Sequence, residues 1–155
     1  LYEAMIELSS KVGVFGHGYT YSGHPVGCAI ALKVLEIYQR DNIFKTAACT
    51  GDYLQRRLKA FSDHPLVGEV RGKGMIAALE LVANKTTKAA FTDGSVGAEA
   101  VLACQHNGLI VRAVAGNSLA LCPPLITTEA QVDEIMEKLG KALDSTLEHT
   151  TLSNR

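Results

Sequence analysis

Twice in this chain a pair of short apolar runs is joined by a turn containing glycine, and this repetition constrains the fold more than any other feature. Residues 66–71 and 75–82 flank Gly72-Lys73-Gly74, and residues 109–114 and 118–122 flank Ala115-Gly116-Asn117. Apolar runs of that length bounded by turn residues read as strands, and such short connections make each pair a hairpin. What lies around the hairpins has helical spacing. Val96, Ala100, Val101 and Cys104 share one side of a helix over 96–106, closed by Asn107-Gly108 in the manner of a C-cap. Thr128 is placed to cap a last helix striped by Val132, Ile135, Met136, Leu139, Leu143 and Leu147, with a frayed tail expected after His149. Ahead of the first hairpin, Asp41 is the expected N-cap of a helix whose Phe44, Ala47, Gly51, Leu54, Leu58 and Phe61 form one face and which ends before Pro65. The order predicts an α/β chain in which about four mostly antiparallel strands carry helices packed on the sheet.

Residues 1–40 have a different character. A helical pattern over 1–11 is followed by a loop, 13–24, with four glycines at Gly13, Gly16, Gly18 and Gly23. Pro25 then opens a helix over 26–38 whose polar side chains are few, so it is expected to be buried nearly all round. A boundary near residue 40 follows, with 1–40 as the edge of one domain and 41–155 as another. The chain begins at Leu1 inside a helical pattern, which is the expectation for part of a longer polypeptide.

The 155 residues are 47% hydrophobic and 20% charged, enough to bury a core and too apolar for general disorder. A formal net charge of -1 provides no field for nucleic acid or anionic lipid. No run approaches the length of a membrane span and the N-terminus lacks signal-peptide order, so a cytoplasmic protein is expected. Cys28, Cys49, Cys104 and Cys122 lie in apolar runs without a CxxC pair and are expected to be buried thiols.

Two places are candidates for chemistry. In the loop His17-Gly18-Tyr19-Thr20-Tyr21-Ser22-Gly23-His24, glycines allow close backbone approach, the hydroxyls of Thr20 and Ser22 can donate, and a helix N-terminus follows. That combination suits a phosphate; equally, the hydroxyls can simply cap Val26 and Gly27. His17 and His24 lack a third ligand, so no metal site is expected. Arg112 is a cation in an apolar strand, and its planar fork suits either a ligand carboxylate or a protein acid, Glu80 being the acid inside a predicted strand. Arg71 is expected to be structural and Lys73 solvated. No lysine lies in an apolar pocket, and Ser22 with His24 makes no triad, so no catalytic residue is assigned.

The run Gly18-Tyr19-Thr20-Tyr21-Ser22-Gly23-His24-Pro25 before an alanine-rich helix resembles the phosphate-loop segment of class III aminotransferases, pyridoxal phosphate enzymes of fold type I. Val70-Arg71-Gly72-Lys73-Gly74-Met75, Gly108-Leu109-Ile110-Val111-Arg112 and Pro123-Pro124-Leu125-Ile126-Thr127 follow in that family's order, so the resemblance covers nearly the whole chain as a C-terminal third. It implies a strip of the large domain over 1–40 and the small C-terminal domain over 41–155. It implies that Thr20, with Tyr19, binds the cofactor phosphate of the neighbouring subunit in a homodimer. Arg112 corresponds to the mobile arginine that receives a substrate carboxylate in the branch acting on omega-amino acids or amines with pyruvate. The implied reaction moves an amino group from an amine or amino acid donor to a keto acid acceptor. The family's Schiff-base lysine and the aspartate on the pyridine nitrogen precede the glycine loop, so a fragment of this extent is expected to be inactive and not to retain pyridoxal 5'-phosphate. Without the large domain, the helix over 26–38 would be exposed and favour association. Asn117 stands where that branch often has aspartate. The alternative is a stand-alone module that binds a small carboxylate or serves dimerisation without catalysis.

Overall fold

The computed structural model describes residues 1–92 and 94–153, with side chains described to residue 150. Asp93 of the expected polar loop, and Asn154 and Arg155 of the expected frayed tail, lie outside the described residues. The elements are α1 (Tyr2–Val12), α2 (Pro25–Arg40), α3 (Ile43–Leu58) with a 3-10 turn over Lys59–Asp63, β1 (Val67–Lys73), β2 (Ile76–Leu81), α4 (Ser95–His106), β3 (Arg112–Val114), β4 (Ser118–Leu121) and α5 (Glu129–Ser153). They form two compact units, Leu1–Arg40 and Asp41–Arg155.

In the second unit the four strands make one antiparallel sheet in the order β1-β2-β4-β3. Both expected hairpins are present, and β2 and β4, the second strand of each, pair side by side at the centre. Alternation along the strands separates two faces. Ala77, Leu79 and Leu81 of β2 and Leu119 and Leu121 of β4 face the core, where Leu54 and Leu58 of α3, Ala100 and Cys104 of α4, and Val132, Leu139 and Leu143 of α5 cover them. Each fully buried leucine of this set contributes about 1.5–3 kcal/mol by leaving water.

Local chemistry fixes the ends of the elements. Gly108 (φ 72) terminates α4 in a Schellman arrangement, its N–H donating to Gln105 O at 2.9 Å while Leu109 N–H donates to Cys104 O at 2.9 Å. Thr128 and Gln131 cap α5 reciprocally: the Gln131 N–H donates to Thr128 Oγ1 at 3.3 Å and the Thr128 N–H to Gln131 Oε1 at 2.9 Å. The N-cap of α3 is Asn42, in the left-handed conformation at φ 51, rather than Asp41. Asparagine tolerates that conformation better than most residues, so the turn admits the helix one residue later than expected. α5 continues beyond His149 to Ser153.

α2 is not buried all round but exposed, as expected for it without a large domain, and the expectation of four buried thiols is corrected. No residue of α2 is buried; Val26, Ile30, Leu32 and Leu35 are all more than half exposed. Of the four cysteines only Cys104 is buried, while Cys28, Cys49 and Cys122 are exposed. Apolar sequence neighbours do not bury a thiol unless a second layer covers them. Phe44 is likewise exposed, so the buried face of α3 runs through Ala47, Thr50, Gly51, Leu54 and Leu58.

Candidate functional site

The first candidate lies in the loop before α2. Its turn is built from Ser22 N–H donating to Tyr19 O at 2.9 Å and His24 N–H donating to Tyr21 O at 3.1 Å, with Gly23 at φ 73. The two hydroxyls that sequence alone could not rank have different employment. Ser22 Oγ accepts the Tyr19 N–H at 2.8 Å and so closes the turn on itself. The Thr20 side chain has no hydrogen bond among the described residues and is exposed beside Tyr19, which is also exposed. Pro25 begins α2 directly after, and Cys28 N–H is the first there to find a carbonyl, donating to His24 O at 3.0 Å. An uncommitted hydroxyl, a glycine turn and a helix N-terminus together fit a phosphate group.

The second candidate is on the face of the sheet that the helices leave uncovered. Strand register aligns Arg71 of β1, Ala78 of β2, Ala120 of β4 and Arg112 of β3 in a single cross-strand row. Two guanidinium side chains therefore flank a floor of two methyl groups. Arg71 is spent on its neighbours: Nη1 lies 2.5 Å from Glu80 Oε2 and 3.4 Å from Glu69 Oε2, and Nη2 donates to Ser118 Oγ at 3.2 Å. The Arg71 hydrogen bond holds the Glu80 carboxyl below the usual carboxylate range, against a smaller opposing effect of burial and with help from Ser118.

Of the two alternatives the sequence leaves for Arg112, a ligand carboxylate or a protein acid, the fold does not supply the protein acid. Arg112 is exposed, because β3 is a three-residue edge strand paired only with β4. It also has no ion pair or side-chain hydrogen bond among the described residues; Glu80, its suggested protein partner, belongs to Arg71. The cost of burying a cation therefore does not arise, and the fork is open to an anion arriving over the alanine floor. A groove of about 380 Å³ at the start of α5, between Pro123, Thr127, Gln131 and Lys138, is lined by neither candidate. Among the described residues no group of His, Cys, Asp and Glu could hold a metal ion. Nor is any described helix long and apolar enough to cross a membrane. Tyr19 and Thr20 belong to the first unit and Arg112 to the second.

The model of the aminotransferase class-III family matches residues 3–143. The chain belongs to that family. Class-III aminotransferases depend on pyridoxal phosphate, and the four-stranded sheet with its helices is a portion of the fold type I architecture. Among curated relatives, this class-III chain is 47% identical over 145 residues to a putrescine–pyruvate aminotransferase of Pseudomonas aeruginosa, covering 93% of this chain and 32% of that protein. It is 44% identical over 139 residues to gamma aminobutyrate transaminase 1, mitochondrial, of Solanum lycopersicum, covering 89% and 27% respectively. A solved omega transaminase from Pseudomonas jessenii in complex with PMP superposes with a TM-score of 0.83 at 42% identity, over 95% of this chain and 32% of that one. The chain thus spans about a third of the length of the aminotransferases it matches.

One residue of interest is legible in the sequence only as the end of a turn and as a departure from a family pattern. Asn117, in the β3–β4 turn, has a structural role that no local motif signals, because its partner is Gly97 in α4.

Proposed function

We propose that these residues supply the C-terminal share of a pyridoxal phosphate-dependent aminotransferase that moves an amino group between an amine or omega-amino acid and a keto acid such as pyruvate. The observation that carries the reading is the division of labour on the open sheet face. Arg71 is neutralised by Glu80, whereas Arg112 is exposed and uncommitted among the described residues, as a residue that receives a substrate carboxylate must be. The name of the putrescine–pyruvate relative supports a carboxylate-free donor and a keto acid acceptor. An arginine on a short edge strand suits that pair, since it can meet the keto acid and stand aside for the amine.

Residues 1–40 are, on this reading, the C-terminal edge of the large cofactor-binding domain, and 41–155 the small domain. Thr20, with Tyr19, holds the cofactor phosphate of the neighbouring subunit in a homodimer; the free Thr20 hydroxyl supports this role. When bound, the cofactor supplies the electron sink for the substrate carbon. This chain's residues bind and orient: Thr20 fixes the phosphate and Arg112 the carboxylate. The lysine that anchors the cofactor covalently and the aspartate that meets its ring nitrogen belong to the remainder of the enzyme. The 155 residues alone are therefore inactive and retain no cofactor.

The intact mass of the natural protein is the first test, with a mass far above that of 155 residues expected. In that protein, Arg112→Ala should raise the KM for pyruvate by about tenfold or more, the size of a lost charged hydrogen bond. Thr20→Ala should weaken retention of pyridoxal phosphate by a comparable factor. Turnover of putrescine with pyruvate by the 155 residues alone would overturn the reading.

A further inference from the structure

Two of the hydrogen bonds of Asn117 join three elements. Its side-chain Oδ1 accepts the N–H of Gly97 at 2.8 Å, and its backbone O accepts the N–H of Leu81, the last residue of β2, at 3.0 Å. Gly97 lies in the first turn of α4, where N–H groups have no carbonyl within the helix. The N-cap residue, Gly94, has no side chain to offer. The Gly97 N–H is capped instead from the β3–β4 turn, 20 residues away in sequence.

Packing shows how close the turn lies. A Cβ on Gly97 would stand 2.5 Å from Gly116 O and 3.0 Å from Asn117 Cα, so the turn rests directly on the helix backbone. Within it, Ala115 (φ 47) and Gly116 (φ 84) are both left-handed, and the alanine adopts that conformation at a cost that the surroundings must offset. β3 has only β4 on one side and no strand on the other. Three register pairs with β4, packing against α4 and the anchorage of the turn that follows it hold it in place.

We propose that Asn117 is a positioning residue for Arg112. By tying the β3–β4 turn to the first turn of α4, it fixes where β3 lies at the edge of the sheet, and hence where the Arg112 guanidinium meets a carboxylate. The proposal rests on the reading of Arg112 as the carboxylate-binding residue.

The test uses the complete enzyme and the ratio of the KM for pyruvate, which has a carboxylate, to the KM for putrescine, which has none. Asn117→Ala should raise this ratio about fivefold, the net worth of one hydrogen bond, and should speed amide exchange at Gly97. Asn117→Asp keeps the acceptor and places negative charge at a helix N-terminus, so it should hold the ratio near the native value. Should the alanine variant fail to fold, Asn117→Ser, too short to reach Gly97, carries the same expectation. If Arg112→Ala raises the ratio and neither Asn117→Ala nor Asn117→Ser does, the positioning role is overturned while the carboxylate reading stands. If Arg112→Ala leaves the ratio unchanged, the carboxylate reading falls and takes the positioning role with it. Accelerated exchange at Gly97 without a change in the ratio makes Asn117 a helix cap alone.

Discussion

Helices α2 and α3 are each 16 residues long, and the more apolar of the two is the one left exposed. α2 carries charge only at Lys33, Glu36 and Arg40, yet buries nothing. α3 carries Lys45, Asp52, Arg56 and Arg57 and buries five residues, because its apolar positions recur along one face and the sheet is there to receive them. Its polar face is used as well: Tyr53 Oη donates to Asp133 Oδ1 at 2.8 Å and Arg57 Nε lies 2.8 Å from the same oxygen, tying α3 to α5. The lesson is that apolar content describes the neighbours a helix is made for, while burial depends on which neighbours are at hand.

The strongest way to break this comparison is to truncate matched leucines in the 155-residue chain. Leu79→Ala, at a site with no exposure in the central strand β2, should cost about 2–5 kcal/mol in urea unfolding. Leu32→Ala, at 63% exposure on α2, should change stability by no more than about 0.5 kcal/mol. Equal losses would mean that the first unit has a core of its own.

Glycines sharpen the contrast at smaller scale. A Cβ on Gly51 of α3 would stand 2.7 Å from Gly74 Cα and C, where the β1–β2 turn lies against the helix and Gln55 Nε2 donates to Gly74 O at 2.7 Å. Gly51→Ala should therefore destabilise by about 1–3 kcal/mol. A methyl group on Gly27 of α2 would meet nothing within 4 Å, so Gly27→Ala should raise helix stability by about 0.5 kcal/mol, read from thermal melts followed by circular dichroism. In the complete enzyme that gain should vanish if α2 is packed there.

What the sequence disclosed follows the same division. Both hairpins, the Asn107-Gly108 stop and the Thr128 cap were legible because each is written in adjacent residues. The exposure of Cys28, Cys49 and Cys122 was not, since burial depends on a covering layer that local pattern does not name, and that of α2 followed only from the resemblance, which names the missing layer. For the candidate site, the glycine loop announced itself, but only the fold separates Ser22, which closes the turn, from Thr20, which remains free. Arg112 was recognisable as a cation needing a partner; that Glu80 is already taken by Arg71 is a fact of strand register.

Two further measurements concern the second unit against the first. Because Arg71 lowers the Glu80 carboxyl, the pair contributes stability above the ordinary glutamate value of about 4.3 that is lost as pH falls through the lowered native value. Melting temperature should fall in that acid window, and Arg71→Ala should flatten this part of the profile; the effect is small because both side chains are more than a third exposed. The smallest perturbation is chemical labelling under native conditions. Cys28, Cys49 and Cys122 should alkylate, while Cys104, buried and with its thiol pushed up to about 11, should remain unmodified by mass spectrometry. Protection of Cys28 in the complete enzyme would report the cover that α2 lacks here.

The sheet's two borders have a consequence for how this polypeptide would self-associate. β1 presents Glu69, Arg71 and Lys73 along one border, and β3 on the other is three residues long and begins with Arg112. Strands so charged or so short are poor templates for another chain's backbone. Crowding of this protein should therefore produce loose clusters held through greasy helix surfaces, reversible on dilution, rather than cross-β fibres.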